Sequence, residues 1–169
     1  MRTPTSIKVI GIVGLVWGTV AAPFALLSGL AMLVLPEAFI SLASQMFSPQ
    51  YVQALENDNF RHTGGLVMLV QGGIALLLLI GSVQLLRLKP VGWRLMMIYV
   101  IAAIGWGVAD RVLNATVYEG YRHSLSLSKS ERPAPRALPG ILFPAIAAYF
   151  LTRPKIAELY RQDWLIRED

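Results

Sequence analysis

The sequence has no cysteine, which removes disulfides, thiolate metal sites, cysteine nucleophiles and thiol redox relays together. Charge is scarce as well, at 15% of residues, against about 25% in an ordinary soluble domain. The two histidines, His62 and His123, sit outside the apolar runs. A bis-histidine haem is therefore not expected, and neither is any other cofactor or metal. Walker loops, nucleophile elbows and HExxH motifs are all missing, so no enzyme chemistry is expected. Disorder is excluded by the same numbers, because it needs low hydrophobicity and high net charge.

What fills the 169 residues is apolar: 55% are hydrophobic and the mean hydropathy is +0.55. The first uncharged run, Val9 to Pro36, lies between Lys8 and Glu37 and is long enough for a tilted or kinked helix across roughly 30 Å of hydrocarbon. Its apolar core continues to Leu35, well beyond the roughly 7–15 residues of a cleavable signal. It reads as an uncleaved first helix, bent at Pro23. The second run, Thr63 to Leu86, shows neither strand alternation nor a polar face. A third, Val91 to Leu113, carries Arg94 and Arg111 near its ends, where long basic side chains snorkel to headgroups. The fourth, Ala137 to Thr152, has only 16 residues and includes Pro139 and Pro144.

These runs predict an all-α fold: one integral membrane domain over residues 1–169, a bundle of four transmembrane helices at about 9–35, 63–86, 91–113 and 137–152. The turn Arg87-Leu88-Lys89-Pro90-Val91-Gly92 is too short for anything but an antiparallel pair. In the first loop, 36–62, Phe39, Leu42, Ala43, Met46 and Phe47 recur at helical spacing and predict an amphipathic interfacial helix. Ser48 and Pro49 then read as N-cap and first residue of a short helix through Leu55. The second loop, 114–136, is Ser- and Pro-rich and is expected to be a mobile polar segment. In the tail, 153–169, Trp164 is a candidate headgroup anchor.

The net charge of +5 is distributed as punctuation around spans, not as a basic stripe with interleaved aromatics, so nucleic acid is not an expected partner. Alternating the spans puts Arg2, Lys8, Arg87, Lys89, Arg94, Arg153, Lys155, Arg161 and Arg167 on one side. Arg61, Arg111, Arg122, Lys129, Arg132 and Arg136 lie on the other, nine against six of the 15 basic residues. The positive-inside rule then predicts both termini in the cytoplasm of a multi-pass plasma (inner) membrane protein.

Three constellations are candidates for more than packing. Gly14, Gly18 and Ala22 recur four apart in the first helix, the spacing that lets another helix backbone approach closely, within the chain or in a homodimer. Pairing the second and third spans as a hairpin brings Gln71 to the depth of Trp106, with Trp17 at similar depth in the first span. This predicts an intramembrane layer of Trp17, Gln71 and Trp106 in which the carboxamide accepts an indole N–H. The same pairing places Arg61 and His62 near Asp110 and Arg111, a polar rim at the membrane edge that is either a salt-bridge collar or a proton or anion site.

The opening Arg2-Thr3-Pro4-Thr5-Ser6-Ile7-Lys8-Val9-Ile10-Gly11 and the segment Tyr149-Phe150-Leu151-Thr152-Arg153-Pro154-Lys155 resemble small bacterial four-helix inner-membrane proteins of uncharacterised function. That resemblance implies four spans and a bacterial plasma membrane, and brings no catalytic residues. The expected function is a non-enzymatic accessory or scaffold subunit, with membrane lipids and other membrane protein subunits as partners. The alternative is a small transporter or a lipid- or small-molecule-binding protein with a pocket between helices.

Overall fold

The computed structural model describes residues 4–125 and 141–165, except the side chains of Leu159 and of residues 161–165. Every element among the described residues is helical: α1 Thr5–Val34, α2 Pro36–Ala43, α3 Pro49–Leu55, α4 Asp58–Leu86, α5 Pro90–Leu113, α6 Glu119–Leu125, α7 Leu142–Leu151 and α8 Pro154–Leu165. A π-helical stretch, Asn114–Tyr118, joins α5 to α6 without a break. Three continuous helices are long and apolar enough to cross a membrane: Thr5–Val34, Asp58–Leu86 and Pro90–Leu125. The fourth apolar run is helical over Leu142–Leu151, about 15 Å at the α-helical rise. Residues 137–140 lie outside the described residues.

Water is not the solvent these helices are built for. In α1 one face is buried, through Ile7, Ile10, Ala21, Ala22, Ala25 and Met32. Its opposite face is just as apolar, with Val16 at 63%, Val20 at 69% and Leu27 at 67% exposure. A soluble surface helix would carry charge there; a helix apolar all round belongs in a protein core or in lipid. Ile98, Ile101, Val108 and Val112 extend the same pattern along α5.

The chain divides into two compact units. The first, Met1–Ala22, Gly73–Gly107 and Leu138–Asp169, is organised by the α4–α5 hairpin. Leu88 takes a positive φ of 55°, while Leu88 N–H donates to Leu85 O and Lys89 N–H to Gln84 O, both at 3.0 Å. This is the Schellman ending of a helix with leucine in the place glycine usually takes, and Pro90 then opens α5. Gly92 lies so close to the end of α4 that a Cβ there would stand 2.3 Å from Leu85 N. Tyr99, Leu78, Leu85, Met96, Ala147 and Leu151 are buried together in the core of this unit.

Helix α7 runs antiparallel to α5. A Cβ on Gly107 would meet Ile141 Cγ1 at 3.0 Å, and at the other end Trp93 Nε1 donates to Leu151 O at 3.0 Å. Helix α8 then returns to the hairpin, where the Tyr160 hydroxyl donates to Leu85 O at 3.2 Å. The C-terminal helix is thus held beside the α4–α5 turn.

The second unit comprises Pro23–Gly72 and Val108–Ala137. Ser48 opens α3 as its N-cap, accepting from Tyr51 N–H at 3.2 Å, with Pro49 as first residue. Tyr51, Phe60 and Tyr121 form an edge-to-face chain with centroid separations of 5.9 and 5.4 Å, which packs α3 and α6 on the start of α4.

Three boundaries differ from the sequence reading. Helix α4 begins at Asp58, not Thr63, because Asn57 Oδ1 caps Phe60 N–H at 3.1 Å. The stripe from Phe39 to Phe47 does not form one helical face: α2 stops at Ala43, leaving Met46 and Phe47 beyond it. The loop expected over 114–136 is helical as far as Leu125. Arg122 anchors that extension by donating to Asn114 Oδ1 at 2.7 Å and pairing with Glu119, so the rise in polarity at Asn114 does not end the helix. Residues 126–140 and Trp164's side chain lie outside the described residues.

Candidate functional site

The rim residues fall in the second unit. Arg61 projects from the first turns of α4, donates from Nη1 to Leu55 O at 3.1 Å and pairs through Nη2 with Asp58. Leu55 is the last residue of α3, so the guanidinium sits on a helix C-terminus, where a cation meets the negative end of the dipole. Thr63 Oγ1 and the Tyr121 hydroxyl are 3.1 Å apart, tying α4 to α6. His62 and Arg111 are exposed, and Asp110 is buried at 9% exposure. Chemically, Arg61 joins secondary elements.

The three layer residues divide between the units. Trp17 and Trp106 belong to the first and Gln71 to the second. Gln71 is buried at 2% exposure and Trp106 packs half-buried on the core of the first unit. Trp17 is 45% exposed, on the outward face with Val13 and Val16. The chain thus covers Trp17 only in part.

Gly14, Gly18 and Ala22 all turn toward α4. A Cβ on Gly14 would stand 2.2 Å from Ser82 Oγ, and one on Gly18 would stand 2.9 Å from Leu79 Cα. Ala22 is buried with Ala21 and Ala75. Farther along α1, in the second unit, a Cβ on Gly29 would stand 2.9 Å from Gly65 O. The small residues thus serve contact between α1 and α4 of the same chain.

The first unit also carries a cleft the sequence did not indicate, a cavity of about 480 Å³ lined by Pro90, Trp93, Arg94, Pro154, Ala157, Glu158 and Tyr160. Its walls are the first turns of α5 and α8, each opened by a proline. The bond of Trp93 to Leu151 O and that of Tyr160 to Leu85 O fix two of its sides. Prolines at 90 and 154 and a tryptophan beside the turn were the available signals, but the Tyr160–Leu85 contact spans 75 residues and no local pattern encodes it.

Burial pushes the Tyr160 phenol up to about 12, from a usual value of about 10. The folded state therefore favours the neutral phenol. That contribution to stability is complete below about pH 10 and is lost as pH rises toward about 12. The unfolding midpoint in detergent is expected to fall over this interval, and Tyr160→Phe to fall less, since it has no phenol to ionise. Identical alkaline slopes for the two proteins would refute the assignment.

Comparisons with protein-family models, with curated proteins and with solved structures found no significant match to this chain.

Proposed function

We propose that this chain is a non-enzymatic integral protein of the bacterial plasma membrane, crossing it four times with both termini in the cytoplasm. It acts as an accessory or scaffold subunit of a membrane assembly. The observation that carries the reading is the outward face of α1, where Val9, Ile12, Val16, Val20, Leu27 and Val34 are exposed along a 30-residue helix. The other face of α1 is filled by the chain's own α4, so the outward face is left to lipid tails and neighbouring helices.

Support for a fourth crossing comes from α7 and α8. Two contacts tie them to the hairpin turn, Trp93 with Leu151 and Tyr160 with Leu85, which supports a return of the chain to the side it left along α5. The nine-to-six distribution of basic residues favours the cytoplasm for that side. In the first loop, Leu42, Met46 and Phe47 expose apolar surface beside the start of a span, which suits α2 and the turn after it to the headgroup layer.

The absence of cysteine makes the test direct, since single-cysteine variants need no further engineering. Lys89→Cys and Lys155→Cys are expected to react with a membrane-impermeant maleimide only after the cytoplasmic face is opened, and Gln50→Cys in intact cells. Labelling of Lys155→Cys together with Gln50→Cys would remove the fourth crossing. Native mass spectrometry after mild extraction is expected to show a protein partner. A monomer carrying lipid alone would shift the reading to the alternative, a lipid- or small-molecule-binding protein, which the cleft between α5 and α8 favours.

A further inference from the structure

We propose that the cleft between the first turns of α5 and α8 holds the headgroup of a phospholipid that bears a primary ammonium beside its phosphate. This rests on the hairpin turn lying at a membrane surface, which the cysteine labelling above reports independently of any lipid measurement.

The cleft carries charge of both signs. Among the described residues, Arg94 and Glu158 are the ionic side chains that line it, one on each wall. Arg94 has five N–H donors in a planar fork suited to phosphate, whatever other contact it makes. Glu158 is exposed, and no salt bridge among the described residues includes it. A purely anionic headgroup would leave this carboxylate repelling the phosphate; a primary ammonium neutralises it and donates hydrogen bonds to it. A trimethylated ammonium has no N–H to donate.

Below the cleft the helix supplies a track for acyl chains. Ile98 and Ile101 follow Arg94 at helical spacing and are 51% and 69% exposed. Gly105, one turn further, has nothing within 4 Å of where a Cβ would be. A charged cleft continuing into an open apolar row matches an amphiphile better than a water-soluble compound. Its volume is within the range of ordinary small-molecule sites, about 300–1,000 Å³.

The test uses the full-length protein in mild detergent with equimolar phosphatidylethanolamine, phosphatidylcholine and phosphatidylglycerol of identical acyl chains, read by native mass spectrometry. Phosphatidylethanolamine is expected to be retained about five-fold or more over each of the others, the scale of one charge-assisted hydrogen-bonded contact. Glu158→Gln should bring the ethanolamine-to-choline ratio to about one while leaving choline-lipid retention unchanged. Arg94→Gln should reduce retention of all three lipids several-fold. Equal retention of the three by the wild type, preference for phosphatidylglycerol, or an unaltered ratio in Glu158→Gln would each overturn the proposal. Displacement by millimolar soluble phosphoethanolamine would also overturn it, by making the occupant a free phosphate ester. Should Arg94→Gln fail to fold, the Glu158→Gln ratio decides alone, because that side chain is exposed.

Discussion

Gly92→Ala is expected to be the most damaging single-methyl change in the α4–α5 hairpin. The added Cβ would lie 2.3 Å from Leu85 N, 2.4 Å from Gln84 C and 2.8 Å from Gln84 O. None of these is a side-chain tip that can swing away. They belong to the end of α4 where Gln84 O and Leu85 O accept the two hydrogen bonds that close the turn. Relief requires α5 to move off α4, and that motion would also disturb Met96 and Tyr99, buried one and two turns along. Overpacking costs about 1–3 kcal/mol when side chains can adjust. A backbone clash belongs at or above the top of that range. The measurement is the midpoint of detergent-driven unfolding, with Gly105→Ala as the internal control. Position 105 has open space around the added methyl and gains the helical preference of alanine over glycine, about 0.5–1 kcal/mol. Equal midpoints for the two variants would show that the close approach at Gly92 does not exist.

The second large effect is expected at Gly18. A Cβ there would stand 2.9 Å from Leu79 Cα and 3.0 Å from Leu79 N, again backbone of the facing helix. Gly18→Leu should pry α1 from α4 and lose at least about 2–3 kcal/mol, the overpacking cost plus forfeited close packing. Gly14→Ala is the informative contrast. Its nearest obstacles are Ser82 Oγ and Leu78 Cδ1, at 2.2 and 2.9 Å, both side-chain atoms that can rotate, so it should be milder. Val16→Leu on the outward face should leave stability unchanged within about 0.5 kcal/mol. If Gly18→Leu instead weakened a homodimer while the monomer stayed intact, the small-residue stripe would be serving another copy of the chain.

Much of the local architecture was legible because it depends on near neighbours. Ser48 before Pro49 announces a helix start through capping chemistry, and the six residues from Arg87 to Gly92 leave room only for an antiparallel return. The extension of α5 was hidden for an identifiable reason. Polarity rises at Asn114, but the contacts of Arg122 with Asn114 and Glu119 keep the helix wound through a π turn until Leu125, and composition sees only the polarity. Arg61 contacts Asp58 and Leu55 O, both near in sequence and within its reach because Asn57 starts α4 early. The prolines that open the cleft's two walls were visible, but the cleft itself was not, since the Tyr160 contact with Leu85 that closes it spans 75 residues.

By itself the sequence determined the solvent and the elements: long uncharged runs without a polar face can be satisfied only as helices among apolar neighbours, because every backbone group must bond within its own segment. Tertiary structure decided which apolar face meets protein and which meets lipid. In α1 neither face is polar, and contacts such as the approach of Leu79 to Gly18 and the burial of Ala22 with Ala75 assign the small-residue face to α4. It likewise decided that Tyr160 returns to Leu85 and so creates a cleft, because contacts between distant segments depend on how whole helices pack and leave no periodic trace in the chain.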